Sequence, residues 1–419
     1  MLDIKFIRDN VELMKEAIRK KSVTLDLDEL LKVDTERLSV LSQVETLRAR
    51  QNAVSSEVAK VAPEARAKLI EEMSDLKNEL KGKEDELAGV MKRWQGLMLQ
   101  VPNIPDVSVP EGKDETENKE VAAWGVKPNF PFAPKDHIEL MLAAKMVDFE
   151  RGTKVHGFRG YFLQGAGVEL SWAIINYARD FFGRKNFTPF IAPAIVRKEY
   201  FYGTGHLPRE AEDLYKTQDD DYLSGTAEVA MMAYHADEVL KVAELPKRFL
   251  AFSPCFRREA GSHGKDTKGL IRVHEFFKLE QLVLCRADHG ESATLHEELN
   301  RNYEEFLESL KLPYRRLLIC GGDLSLSKVK QYDTEIWFPS QNVYREGSSA
   351  SYYHDFQTRR FNLRYRDEQG KLHFAHSLNC TAAATPRLLA ALVENGQQAD
   401  GSIAVPEVLQ PYLGHARSS

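Results

Sequence analysis

Residues 255–280, CFRREAGSHGKDTKGLIRVHEFFKLE, hold the side chains best equipped for chemistry. The triplet Arg257-Arg258-Glu259 is followed by a Gly/Ser/His turn, more basic residues, and an aromatic pair, Phe276-Phe277, leading to Glu280. A guanidinium is a planar fork that grips a phosphate or a carboxylate at two points, and Arg257 and Arg272 place two such forks about a hairpin's length apart. The phenylalanines offer a stacking face to a purine, and Glu280 on the return strand can receive an ammonium group. Singly these residues would be solvated charges on a surface hairpin. In this order and spacing they make a phosphate clamp that also holds a purine.

Other nucleotide motifs are missing. Gly264-Lys265 is followed by Asp266 and lacks the glycine five residues before Gly264, so it is not a P-loop; no GxGxxG opens a helix. His274-Glu275 has no second histidine for a metalloprotease helix. A nucleotide would therefore sit on an antiparallel sheet, and the sequence supplies one. From about Asp136 onward, β-rich runs (RFLAFSPCF, KLEQLVLC, RRLLICG, YDTEIWFP, FNLRYRD) alternate with amphipathic helices (VELSWAIINYARDFFG, ESATLHEELNRNYEEFLESL, RLLAALVEN). Strands gathered into hairpins, with helices between the blocks, predict a mostly antiparallel α+β domain.

The first hundred residues have another texture. A short amphipathic helix is expected over Asn10 to Lys20. Val40, Val44, Leu47, Gln51, Val54, Val58 and Val61 then step by fours and threes, and the rhythm resumes at Leu69, Met73, Leu76, Leu80, Lys83, Leu87, Val90, Trp94 and Leu97. That spacing marks a coiled-coil seam. Pro63 cannot continue a helix, so the simplest geometry is an antiparallel two-helix hairpin turning near Val61 to Ala65. Its outer part is basic: Arg48, Arg50, Lys60, Arg66 and Lys68 against Glu57 and Glu64. One reading is a spacer or dimerisation rod; the other is an arm that meets a polyanion by shape and charge. The expected layout is a helical arm domain over 1–105, a Pro/Asp/Glu-rich linker over 106–130 and a catalytic domain over 131–419.

A chain of 419 residues with 43% hydrophobic and 29% charged residues is ordinary for a soluble two-domain protein. Its net charge of −6 neither announces nor excludes a nucleic-acid partner. No apolar run is long enough to span a membrane, and the N-terminus has no signal pattern. Cys255, Cys285, Cys320 and Cys380 show no CxxC spacing, which fits a reducing cytoplasm.

The 255–280 segment closely resembles motif 2 of class II aminoacyl-tRNA synthetases in its seryl-tRNA synthetase form. FTPFIAPAIVRKEYFYGTGHLPREAEDLYK resembles motif 1 and the segment after it, with Pro193 at the dimer-interface proline. YLSGTAEVA carries Thr226-Ala227-Glu228, like the TxE loop beside the amino-acid pocket. QYDTEIWFPSQNVYREGSSASYYHDFQTRR resembles the stretch that holds metal and triphosphate, and SLNCTAAATPRLLAALVENG resembles motif 3, with Arg387 in the first turn of a helix. Two departures stand out: Cys380-Thr381-Ala382-Ala383-Ala384 replaces a glycine-containing segment, which predicts a bulkier pocket floor, and Gly225 stands where a proline often precedes the TxE loop.

The resemblance implies ATP-dependent activation of L-serine and its transfer to tRNA-Ser, by a homodimer using Mg²⁺. It implies catalytic Arg257, Arg272 and Arg387. Thr226, Ala227, Glu228, Arg257, Glu280 and Thr381 would bind serine. Arg257, Arg258, Glu259, Arg272, Phe276, Glu346, Gly347, Ser348, Ser349 and Arg387 would bind ATP, with Glu346 and Ser349 on the metal. Rival readings are a homologue that binds tRNA or a partner without charging it, one that loads serine onto another carrier, a class II enzyme for another amino acid, and a coiled-coil scaffold. The last explains the arm and nothing after residue 190.

Overall fold

The computed structural model describes residues 2–58, 61, 63–261, 264 and 266–414. Lys60 and Ala62 in the expected arm turn, the Glu64 and Ala65 side chains, and Ser262, His263 and Lys265 in the 255–280 loop lie outside the described residues. The chain divides into two compact units, residues 1–102 and 103–419.

In the first unit, helix α1 (Leu27–Val58) pairs with helix α2 (Pro63–Met98). At 1.5 Å per residue these limbs run about 48 and 54 Å. Pro63 opens α2, where its missing N–H costs nothing. Val40, Val44, Val54, Leu76, Leu80 and Val90 of the predicted seam are buried. Arg48 and Arg50 are not left to local acids: they pair with Glu84 and Glu72 of the returning limb at 2.6 and 2.7 Å. At the base, buried Asp34 receives Arg37 at 2.8 Å and Arg8 at 3.2 Å, tying the short helix Ile4–Asp9 to α1.

The second unit is built on an eight-stranded sheet of β1 (Lys119–Trp124), β2 (Thr188–Ile191), β3 (Lys247–Phe256), β4 (Glu275–Cys285), β5 (Tyr314–Leu318), β6 (Lys330–Phe338), β7 (Val343–His354) and β8 (His376–Ala384), in the order β1-β5-β6-β7-β8-β4-β3-β2. All neighbours are antiparallel except the edge pair β2–β3. The stretch read as a linker is thus partly structural: β1 pairs with β5, and the Asp106 carboxylate accepts from the Tyr352 hydroxyl at 2.8 Å. FNLRYRD, read as a strand of the main domain, contributes Arg364–Arg366 to a separate three-stranded sheet.

Strand periodicity decides which residues meet the site. Leu279, Val283 and Cys285 of β4 and Leu378, Cys380 and Ala382 of β8 join the core that includes α3 (Ala166–Gly183), α5 (His289–Ser309) and α6 (Thr385–Asn395). Gln281 belongs to the same side, donating to the Leu299 carbonyl of α5. Lys278 and Glu280 on β4, and Asn379 and Thr381 on β8, are left to the opposite face.

Candidate active site

A cavity of ≈ 480 Å³ opens on that face, and Thr226, Glu228, Arg257, Lys278, Glu280, Glu346, Ser349 and Thr381 are among its lining residues. A smaller one of ≈ 80 Å³ adjoins it, lined in part by Glu259, Arg272, Phe276, Gly347 and Arg387, and shares Arg257, Lys278, Glu346 and Thr381 with the first. Residues expected from four separate segments therefore converge. Three do not: Ala227 is buried in a hydrophobic cluster, Ser348 turns its hydroxyl to the Thr381 carbonyl at 2.9 Å, and Arg258 lines neither cavity. Ser348 and Ser349 are neighbours on a strand, so only one of them can face the site.

The larger cavity is set by β4, β8 and the loop before α4 (Glu228–Ala233). Glu280 and Thr381 lie directly opposite in the β4–β8 register, next to a bulge between Leu279 and Glu280. The Thr226 hydroxyl lies 3.4 Å from Glu280 Oε2, and Lys278 forms an ion pair with the same oxygen. Burial pushes the Glu280 carboxyl up from its ordinary range, with Lys278 acting in the opposite sense. Glu228 is satisfied at both oxygens, by Gln357 at 2.7 Å and Asn379 at 2.6 Å. Arg257 follows the end of β3; its backbone N–H closes the hairpin onto the His274 carbonyl at 3.0 Å, and its guanidinium donates to Gly225 O at 3.3 Å. A Cβ at Gly225 would lie 3.1 Å from Arg257 Cγ, so glycine leaves room for that approach.

In the adjoining cavity the Arg257 guanidinium lies 5.4 Å from the centre of the Phe276 ring. Phe277 points elsewhere, stacking on Phe252 and Trp172. Arg272 pairs with Glu259 at 3.0 Å and Asp266 at 3.3 Å. Arg387 sits in the first turn of α6, as expected, and donates to the Ile271 carbonyl at 3.2 Å and to Glu346 Oε2 at 3.4 Å. Ala384 is the N-cap of α6, and the Thr385 hydroxyl bridges to the Phe277 backbone. Desolvation would raise the Glu346 pKa, but Arg387, Arg257 and Lys328 outweigh it and hold the carboxyl below the usual range. Across the β6–β7 pairing, Asp333 faces Ser349; desolvation and the Glu346 charge push its carboxyl up to about 7.

The replaced segment does not thicken the pocket floor. Cys380, Ala382 and Ala383 are fully buried in the core, and Thr381 and Ala384 alone of the five line the cavities. Lys278, Asn379, Gln357 and Asp333 were not foreseen. Lys278 carried a signal, since it lies two residues from Glu280 on a strand; Asn379 and Gln357 carried none without the pairing partner.

The donor set suits a hard cation with few protein ligands. The buried Ser349 hydroxyl, beside the Asp333 carboxyl, lines the cavity with the Glu346 carboxylate. Among the described residues no group of three or more His, Cys, Asp or Glu side chains is placed to cage a metal. One carboxylate and one hydroxyl, completed by phosphate oxygens and water, fit Mg²⁺.

A sheet that is antiparallel save for one edge strand, with arginines meeting over its face and α6 supplying one of them, is the architecture of the class II aminoacyl-tRNA synthetases. Residues 214–396 match the family model of the tRNA synthetase class II core domain (G, H, P, S and T), and residues 1–105 that of the seryl-tRNA synthetase N-terminal domain. The chain is 47% identical to a serine–tRNA ligase of Deinococcus radiodurans over 415 residues, covering 99% of this chain and 98% of that one. The solved seryl-tRNA synthetase of Pyrococcus horikoshii, complexed with ATP, superposes with a TM-score of 0.89 at 38% identity over 99% of this chain and 98% of the other. The cytoplasmic serine–tRNA ligase of Naegleria fowleri in complex with AMP gives 0.85 at 33% identity over 99% and 97%. The chain belongs to the seryl-tRNA synthetase family.

Proposed function

We propose that this protein activates L-serine with ATP and transfers serine to the 3′ end of tRNA-Ser. One observation carries the reading: a small arginine-rich cavity adjoins a larger polar cavity with two buried acids, and Arg257 belongs to both. A serine carboxylate oxygen attacks the α-phosphorus, the α–β phosphoanhydride bond breaks, and pyrophosphate leaves. The terminal ribose hydroxyl of the tRNA then attacks the seryl carbonyl and AMP leaves. Neither step requires a nucleophile from the protein, so positioning and charge neutralisation do the catalysis.

In this scheme Arg257 bridges the α-phosphate and the serine carboxylate, and Arg272 and Arg387 take the outer phosphates. Phe276 stacks on adenine, with Glu259 at its amino edge and the Gly347 backbone beside the nucleotide. Thr226, Glu228 and Glu280 receive the ammonium group, and Glu280 and Thr381 the hydroxyl. Glu346 and Ser349 would hold Mg²⁺, which supplies charge neutralisation to the phosphates when bound. Alanine would leave Glu280 and Thr381 unpaired, so it is rejected by polarity; threonine is excluded by volume.

The helical arm would recognise tRNA by shape and backbone charge. A homodimer fits the edge strand β2, where Ile191 is 84% exposed, with Ile195 also exposed four residues on. Four free, buried cysteines fit a cytoplasmic setting. No helix among the described residues is long and apolar enough to cross a membrane.

ATP–pyrophosphate exchange across a panel of amino acids, followed by charging of total tRNA, tests the whole scheme. Serine should drive exchange and Arg257→Ala should abolish it. Unchanged exchange in Arg257→Ala would refute the role given to that arginine, and exchange driven by a different amino acid would refute serine.

A further inference from the structure

The larger cavity contains two carboxylates, and their four oxygens are not equivalent. Both oxygens of Glu228 are taken, by Gln357 and Asn379. At Glu280, Thr226 and Lys278 both address Oε2, and Oε1 accepts no hydrogen bond among the described residues. Lys278 reaches this oxygen because residues two apart on β4 share a face. It is itself only 5% exposed and Glu280 only 1%. A buried ion pair of this kind contributes little net stability, since desolvating both charges offsets their attraction. Its value lies in what it does to Glu280: it fixes the carboxylate's rotation and its charge together.

We propose that Lys278 is a positioning residue for amino-acid selection, pinning Glu280 by Oε2 so that Oε1 is presented, ionised, to the substrate hydroxyl. This rests on the reading of the cavity as a serine site. The charge pattern agrees. Close to Glu280, the cations Lys278 and Arg257 offset the two acids Glu228 and Glu280. Without Lys278, Glu280 would face Arg257 of the β3 hairpin, Glu228 of α4, the Cys255 thiol of β3, the Tyr353 hydroxyl of β7, the Cys380 thiol of β8 and the uncharged Thr381 and Asn379 of β8. In that setting a desolvated carboxyl takes up a proton more readily. Protonated, it would offer the hydroxyl a donor as well as an acceptor, and it would lose its hold on the ammonium group.

The test uses full-length protein and serine-dependent ATP–pyrophosphate exchange between about pH 6 and 9, with wild type, Lys278→Met, Lys278→Arg, Glu280→Gln and the double variant Lys278→Met/Glu280→Gln. Absence of serine-dependent exchange in the wild type would sink the serine reading itself, before Lys278 is in question. Lys278→Met should raise the serine KM about tenfold or more, and leave the ATP KM near wild type. The pH at which serine KM climbs on acidification should move upward, because a higher carboxyl pKa extends the protonated range. Lys278→Arg should recover most of both effects. In the Glu280→Gln background the further loss of Lys278 should change kcat/KM for serine by no more than about twofold, since a residue that acts through another has nothing left to act on. The proposal is overturned if Lys278→Met leaves both the serine KM and its pH midpoint in place. It is equally overturned if the ATP KM rises instead, or if the double variant falls well below Glu280→Gln. Should Lys278→Met not fold, as a thermal melt would reveal, the comparison of Glu280→Gln with the double variant decides. If Glu280→Gln fails in turn because it strands the buried Lys278 ammonium, Lys278→Arg against wild type decides. An unchanged serine KM and pH midpoint would then support the pin, and a rise of about tenfold or more in serine KM would overturn it.

Discussion

Thr381→Val isolates a single hydrogen bond. Thr381 is 8% exposed, lies opposite Glu280 in the β4–β8 register and lines both cavities. Its carbonyl accepts from Ser348, but its hydroxyl makes no hydrogen bond among the described residues. Valine has the same shape, so the substitution opens no void and leaves no protein group without a partner. Stability should therefore stay within about 0.5 kcal/mol of wild type. If the hydroxyl contacts the serine side chain, its removal forfeits one neutral hydrogen bond, about 0.5–1.5 kcal/mol. That amounts to about 2- to 13-fold in kcat/KM for serine in ATP–pyrophosphate exchange. Alanine makes no such bond and leaves the Thr381 hydroxyl unpaired in the wild type, so its kcat/KM should hold or rise. The serine-to-alanine preference should fall by at least the factor lost with serine. An equal loss for both amino acids would show that Thr381 only shapes the cavity, and an unchanged serine value would remove it from the hydroxyl site.

Two further perturbations address the other half-site and the arm. Arg387→Ala removes a cation from the smaller cavity and one of the charges that hold Glu346 low. Exchange should lose about 100-fold or more in kcat/KM for ATP, with serine KM changing less. Because Glu346 works as a carboxylate, a raised pKa moves the acid limb of the profile to higher pH; unaltered ATP kinetics would exclude Arg387 from phosphate binding. Deleting residues 36–98 should leave serine-dependent exchange nearly intact and remove tRNA charging, and normal charging by the shortened chain would contradict the arm's assignment.

What could be read from the sequence follows from how local each signal is. The α1–α2 seam was legible almost to the residue because heptad spacing needs no knowledge of the partner. The ion pairs Arg48–Glu84 and Arg50–Glu72 were not, since they depend on how the limbs register across the turn. Order alone pointed to Arg257, Glu259, Arg272, Phe276 and Glu280 of 255–280, which do line the adjoining cavities. It did not separate them from Arg258, which lines neither, or from Phe277, which stacks on Phe252 and Trp172. Asn379 and Gln357 became visible only once β8 was known to lie between β7 and β4, a pairing of segments about a hundred residues apart. Ser348 was grouped with Ser349 by proximity. A β-bulge between Thr334 and Glu335 in the β6–β7 pairing shows why parity could not be counted safely along that strand. Strand β1 escaped notice because it is an edge: five of its six residues are exposed, so no apolar alternation marks it.

The geometry of β4 ties these pieces together. Phe276, Lys278 and Glu280 alternate onto one face, and four residues of strand advance about 13 Å. Phe276 belongs to the smaller cavity, Glu280 to the larger, and Lys278 to both. A single strand thus sets the distance between Phe276 in the smaller cavity and Glu280 in the larger. Arg257, one residue beyond the paired strand β3, is placed where the two compartments meet. Rigidity matters here because a sheet strand with neighbours on both sides cannot slide one end without the other. The same sheet desolvates Glu280, which works against a carboxylate and makes its retention costly for folding. A well-packed apolar pair in place of Lys278 and Glu280 would fold at least as well, so stability alone does not account for two charges buried at this point. Selection of a small hydroxylated zwitterion, the role proposed for this cavity, would account for them.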